Sequence, residues 1–246
     1  MKPVFLRPTD EVKIVGTAFD TPIVVKGSTW FPLVEVVVWG IMAWFAGKRR
    51  PERSTFERIS IGAITMPIVI GSEWCHNLAH AAAAKLVDKP MDALRITWGT
   101  PLVVYYDVED QSVTPRQHII RALGGPIFNA SAATFGRLIR RQTHPESFAR
   151  EVMDVTVGIN TILCTVGLLP LPGIDGGPIL KWSLVSQGKT AEEADLVVRK
   201  VDGVLAGGLG VAAAVAFKKR RWFIGGVIAQ FALLALGFAL GLIREK

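Results

Sequence analysis

Two histidines four residues apart, His76 and His80, stand in the apolar stretch EWCHNLAHAAAA that covers residues 73–84. On a helix, side chains at i and i+4 project about 40° apart and about 6 Å along the axis, so both imidazoles can reach one metal ion. Taken alone, the pair is equally well read as two histidines bonding neighbouring groups. An ionisable pair at membrane depth tips that balance toward function. A tetrahedral zinc site needs a third protein ligand and an open position. Asp175, in LLPLPGIDGGPIL, is the best candidate. An aspartate between an unwound Pro/Gly segment and a resumed helix, at the end of an apolar span, is costly unless something cationic meets it. The same residue can cap the helix starting near Pro178, and the two roles are compatible. Glu73 with His76 spells the E-x-x-H of di-iron carboxylate sites, but no second E-x-x-H occurs, so that site is improbable.

The elements that must hold these residues are apolar. Half of the 246 residues are hydrophobic and the mean hydropathy is +0.37, well above a soluble globular domain. Charges gather in short runs such as KRRPER (48–53), RRQTHPESFAR (140–150) and KKRR (218–221), with nearly uncharged segments between. That layout predicts an all-α, polytopic integral membrane protein, multi-pass, with about six transmembrane helices near 29–47, 59–84, 119–139, 152–169, 203–217 and 223–243. Between the second and third, DALRITWGTPLVVYYDV (92–108) changes period and predicts two short strands broken at Gly99, Thr100 and Pro101. The chain then divides into an N-terminal arm (1–28), a first span with its basic loop (29–54), a core carrying the candidate site (55–186), an amphipathic surface helix (187–202) and a C-terminal transmembrane hairpin (203–246). The arm is expected to form a small hairpin or an irregular interfacial segment, with no cleavable signal peptide.

The net charge of +7 does not point to nucleic acid, because the basic residues flank apolar spans, where they set topology and meet the headgroups of the lipid bilayer. Cys75 and Cys164 both fall inside predicted spans, so a disulfide framework is not expected. Glu35 and Asp154 are intramembrane acids expected to pair with arginines or polar groups between helices. His118 and His144, in charged surroundings, are expected to be solvated.

Three motifs in order carry a resemblance. HNLAH in the second span, GGPIFNA in the third and LLPLPGIDGG after the fourth resemble the site-2 protease family of intramembrane zinc metalloproteases, which pairs an H-E-x-x-H helix with a later L-D-G segment and a G-P-x-x-N motif between them. The resemblance covers about residues 55–185. It implies that His76, His80 and Asp175 hold Zn2+. It also implies that Asn129, in GPIFN, lies near the site, where its amide could contact substrate or a developing oxyanion or, as plausibly, join two helices. The segment at 92–108 matches the place where the family has a β segment that pairs with an extended substrate.

The sequence departs from the family at two polar positions. Asn77 stands where the family has its catalytic glutamate, and an amide cannot take or deliver a proton near neutral pH. Losing such a base costs on the order of 10² to 10⁴ in rate. Gly167 replaces an asparagine eight residues before the aspartate, although Asn160, which matches another family asparagine, is kept. Glu73 is a substitute base of low promise, because helical side chains lean toward the N-terminus and carry its carboxylate away from a metal between the histidines. A hydrogen bond from Glu73 to the second nitrogen of His76 is its other expected role.

The leading expectation is therefore a zinc-binding homologue of intramembrane metallopeptidases, with peptide hydrolysis lost or strongly weakened. It would act by gripping a transmembrane segment or extended peptide of a membrane protein. One rival is an active protease using another carboxylate such as Glu73. The other is a metal or solute transporter, against which stands the absence of an internal repeat. Orientation stays open: the positive-inside rule puts the basic loops in the cytoplasm and both termini outside, whereas the family resemblance puts the β segment and metal on the cytoplasmic side, the opposite orientation.

Overall fold

The computed structural model describes residues 6–110 and 112–243; the first five residues of the expected arm lie outside them. The described chain runs β1 (Lys13–Ala18), β2 (Thr21–Val25), α1 (Leu33–Arg49), α2 (Thr55–Leu86), β3 (Ala93–Thr97), β4 (Thr100–Val104), α3 (Pro115–Gln142), α4 (Phe148–Gly167), α5 (Gly176–Ser186), α6 (Ala191–Lys218) and α7 (Trp222–Ala239). Within it, two compact units separate: residues 6–106 with 123–167, and residues 107–122 with 168–243.

In the first unit the expected arm and the expected β segment join in one sheet of order β1-β2-β3-β4. Two antiparallel hairpins are linked by a parallel β2–β3 pairing, Ile23 to Leu94 and Val25 to Ile96. Both hairpins turn in two residues with positive φ, Phe19-Asp20 and Trp98-Gly99, the type I′ geometry that follows the twist of the strands. The sheet packs on the last turns of α2: Ala81, Ala84, Met91 and Leu94 form a buried cluster, with Ile23, Leu78 and Val103 against it. Alanines at 81–84 let the strands approach, since a larger side chain there would hold the sheet off the helix.

α2 starts with a capping box. Ser54 Oγ accepts from the Glu57 amide, and the Glu57 carboxylate accepts from the Ser54 amide at 2.7 Å; together these satisfy donors that the first turn leaves open. At its N-terminal end α1 meets the β3–β4 turn. The Val34 amide donates to Trp98 O at 3.0 Å, the Trp98 amide to Thr29 O at 2.6 Å, and Trp74 Nε1 on α2 to Gly99 O at 3.2 Å.

In the second unit α6 and α7 form an antiparallel hairpin around residues 219–221, with α5 against α6. The surface helix expected at 187–202 and the span expected at 203–217 are one continuous helix, α6. It opens with a Thr190/Glu193 capping box, and no residue near 202 breaks it. Among the described residues two helices, α6 and α7, are long and apolar enough to cross a bilayer, fewer than the six expected. Composition explains the difference. α1 is 17 residues long, α3 carries arginines near both ends, α4 carries Arg150, Glu151 and Asp154 in its first two turns, and α2 carries Glu73, His76, Asn77 and His80 in its apolar stretch. Large apolar side chains are nonetheless exposed on these helices, among them Val36 and Trp44 on α1, Ile64 on α2 and Phe135 on α3.

Candidate metal centre

The second half of α2 presents Ser72, Glu73, His76, Asn77 and His80, residues that the 3.6-residue period gathers toward one side. The imidazoles of His76 and His80 meet edge to face, with ring centroids 4.7 Å apart and their Nε2 atoms 3.1 Å apart. Two nitrogens on one tetrahedral zinc stand about 3.3 Å apart for Zn–N of about 2.0–2.1 Å. The pair therefore fits a metal with little rearrangement. Among protein groups alone, the same approach requires a proton shared between the rings.

Asn129, at one turn past Gly125 on α3, sets the first ring. His76 Nδ1 lies 2.5 Å from Asn129 Oδ1, and an amide oxygen can only accept, so the proton is on Nδ1 and the Nε2 lone pair faces His80. Asn129 Nδ2 donates in turn to Asn160 Oδ1 at 2.7 Å, and Asn160 Nδ2 donates to Ser72 Oγ at 3.0 Å and to Thr156 O at 2.9 Å. Asn129 and Asn160 are almost wholly buried. This chain runs from α4 through α3 to a histidine nitrogen on α2, an outer shell of the kind that orients metal-binding imidazoles.

Gly125 permits the approach of α3. A Cβ at that position would sit 2.4 Å from His76 Cε1 and 2.4 Å from His80 Nε2, well inside contact distance. The Gly125 amide donates to His80 Nδ1 at 3.4 Å, a long contact. The glycine pair of GGPIFNA was legible in the sequence only as a motif, and its steric reason appears when the backbone is seen against both rings.

Asn77 is buried, and its amide nitrogen donates to Glu73 O at 2.9 Å and to Glu73 Oε1 at 3.1 Å. Glu73 therefore meets Asn77, and the Nδ1 of His76 belongs to Asn129. Gly167 ends α4 and is buried. Asp175 lies in the other unit, at the N-cap position of α5, with helical backbone (φ −52°, ψ −36°) and no side-chain capping bond. The capping role open to it in the sequence is not used.

The remaining histidines divide. His144 is exposed in the α3–α4 loop. His118, expected to be solvated, is 8% exposed and lies flat on Trp182 of α5, with centroids 3.9 Å apart and rings 1° from parallel. Its charged neighbours in sequence concealed the aromatic partner that buries it. Burial, helped by the nearby Arg121 charge, lowers its pKa to about 4. Asp154 pairs with Arg49 at 2.6 Å and with Arg140, as expected of an acid between helices. Among the described residues Glu35 meets no arginine; it rests against Gly99 at the hairpin turn. Both cysteines are free.

No family model matches the sequence, and no curated protein matches it. Among solved structures, the fold is similar to that of the site-2 protease from Methanocaldococcus jannaschii, with a TM-score of 0.54. The match covers 96% of this chain and 97% of that one at 10% sequence identity. The chain thus has a site-2-protease-like fold. At that identity the likeness concerns the backbone, and the chemistry rests on the side chains described above.

Proposed function

We propose that this protein is a multi-pass membrane protein in which His76, His80 and Asp175 hold a zinc ion, with peptide hydrolysis absent or strongly weakened. The observation that carries the proposal is the His76–His80 pair, its Nε2 atoms 3.1 Å apart and its first ring fixed by Asn129. Asp175 completes, with the two histidines, a group of donors that could hold a metal ion. Bound there, zinc supplies Lewis acidity. His76 and His80 hold their rings for it, and Asn129 fixes the His76 tautomer from behind. Both ends of the Asn129 amide are engaged inside the protein, so we assign it orientation of the ligand and not contact with substrate.

Asn77 has no proton to exchange near neutral pH, and its nitrogen is committed to Glu73. The protein's work is then to bind a membrane partner. β4 is one of the two outer strands of the sheet among the described residues, and its outer edge suits an extended segment added as a fifth strand.

A second reading has one observation in its favour. The Glu73 carboxylate is a single hydrogen bond from Asn77, so Glu73 acting past that amide would make the protein an active protease. One pair of variants separates the two. Restoring the base by N77E alone would set two carboxylates side by side, so E73Q/N77E is the variant to make. The leading reading expects zinc-dependent cleavage of a membrane-segment substrate by E73Q/N77E and none by wild type. Wild-type cleavage abolished by Glu73→Gln establishes the second reading. A zinc-loaded E73Q/N77E that cleaves nothing removes the idea of a disarmed protease.

A further inference from the structure

At the end of the first unit away from the sheet, the α1–α2 and α3–α4 loops are bound together by arginines. Glu151, 3% exposed, receives Arg53 at 2.5 Å, Arg50 at 3.3 Å and Arg49 at 3.8 Å. Asp154 receives Arg49 and Arg140. Arg50 Nη2 also donates to Glu146 O at 2.6 Å, and Arg150 Nη1 donates to Arg140 O. Two acids thus hold four guanidinium groups in place, and a fifth is held by a carbonyl.

The charge does not balance. Residues 48–58 and 137–154 together carry nine lysines and arginines against five carboxylates. Arg49 and Arg140 keep about two fifths of their side-chain surface in solvent. A guanidinium has five N–H donors, and those of Arg49 and Arg140 are only partly used by the acids they meet. Next to this basic face the helices expose aromatic and apolar groups: Trp44 and Phe45 on α1, Phe56 on α2, Leu138 on α3 and Phe148 on α4. Lys48 Nζ lies 5.6 Å from the Trp44 ring centre. Interfacial aromatics beside fixed cations mark the headgroup level of a bilayer, and basic pockets between helix ends take anionic headgroups.

We infer that the loops joining α1 to α2 and α3 to α4 form a binding site for the phosphate ester of an anionic phospholipid, with Arg49, Arg50, Arg140 and Arg150 toward the headgroup and Glu151 and Asp154 as buried anchors that keep these arginines ordered. The inference rests on the proposed membrane setting and is independent of the zinc. Arginine forks fit phosphate oxygens in pairs. The apolar faces beside them accept the acyl chains, which a free phosphate ion lacks.

The test uses the full chain in detergent micelles, offered phosphatidylglycerol or phosphatidylcholine, with retained lipid read by native mass spectrometry. Wild type should retain phosphatidylglycerol in preference, less so at high salt. R49Q/R50Q leaves Arg53 on Glu151 and Arg140 on Asp154, and should weaken that retention by roughly tenfold or more. K85Q/K89Q, an equal change of charge at the sheet end of α2, should leave it intact. Equal retention of the two lipids by wild type, a comparison that needs no variant, overturns the site. So does equal loss in both variants, which would report net charge alone. Complete displacement of the lipid by an equal concentration of inorganic phosphate overturns the lipid as occupant. A chain that stays soluble without detergent and retains neither lipid overturns the membrane setting itself. Zinc content measured on the same samples reports separately on the metal site.

Discussion

His76 and His80 can hold a metal only if their rings stay where Gly125 and Asn129 put them. Gly125→Ala would bring a methyl group to 2.4 Å from both imidazoles. The expected result is overpacking that costs about 1–3 kcal/mol, seen as a lower melting temperature, together with loss of bound zinc. Asn129→Ala removes the acceptor that fixes the His76 tautomer and takes the donor from Asn160 Oδ1. Zinc affinity, measured by competition with a chelator, should fall about 10–100-fold; an unchanged affinity would mean that the asparagine chain serves packing alone. The approach of His76 to His80 was legible in the sequence because a helix period places i and i+4 together. The His76–Asn129–Asn160–Ser72 chain was not, because it joins three helices through contacts that no local spacing encodes. Glu73 looked suited to His76 by proximity in sequence, but Asn77 reaches it along the same helix face.

At the scale of elements, the β3–β4 turn and the α3–α5 contact carry the clearest predictions. Gly99 has φ +97°, and a Cβ there would meet the Glu35 carboxylate at 1.9 Å. Gly99→Ala should therefore undock the turn from α1 and α2 and destabilise the protein, read as a drop in melting temperature. His118 supplies a pH test. Its pKa is about 4 in the fold against an ordinary histidine value of 6.5, so between those values the unfolded chain binds more protons than the native one. Its contribution to stability is complete above pH 6.5 and falls away as the pH drops toward 4. His118→Phe, which keeps a flat ring for Trp182, should flatten that part of the pH profile; an unchanged profile would place the titration elsewhere. The strands at 92–108 were legible from their β-branched residues and the break at Gly99. Their union with the arm was not, because a parallel β2–β3 pairing links segments separated by two helices. The join of surface helix and span into α6 was missed for a different reason: a change from polar to apolar composition alters what a helix faces without ending it.

For the whole molecule, two helices among the described residues meet the length and composition of a membrane span, and four more expose large apolar side chains. The proposed multi-pass setting predicts that the chain remains in membranes washed at alkaline pH and is released by detergent; release by the alkaline wash would contradict it. The helical architecture was legible because apolar runs and basic loops alternate along the chain. Two of the six expected spans meet the length and composition test among the described residues, because four of the helices are short or studded with polar groups. Elemental analysis of the purified, detergent-solubilised protein beside H76A/H80A and D175A tests whether His76, His80 and Asp175 hold a zinc ion. About one zinc per chain, lost in both variants, is the predicted result. No zinc in the wild type, or zinc retained by H76A/H80A, would contradict it.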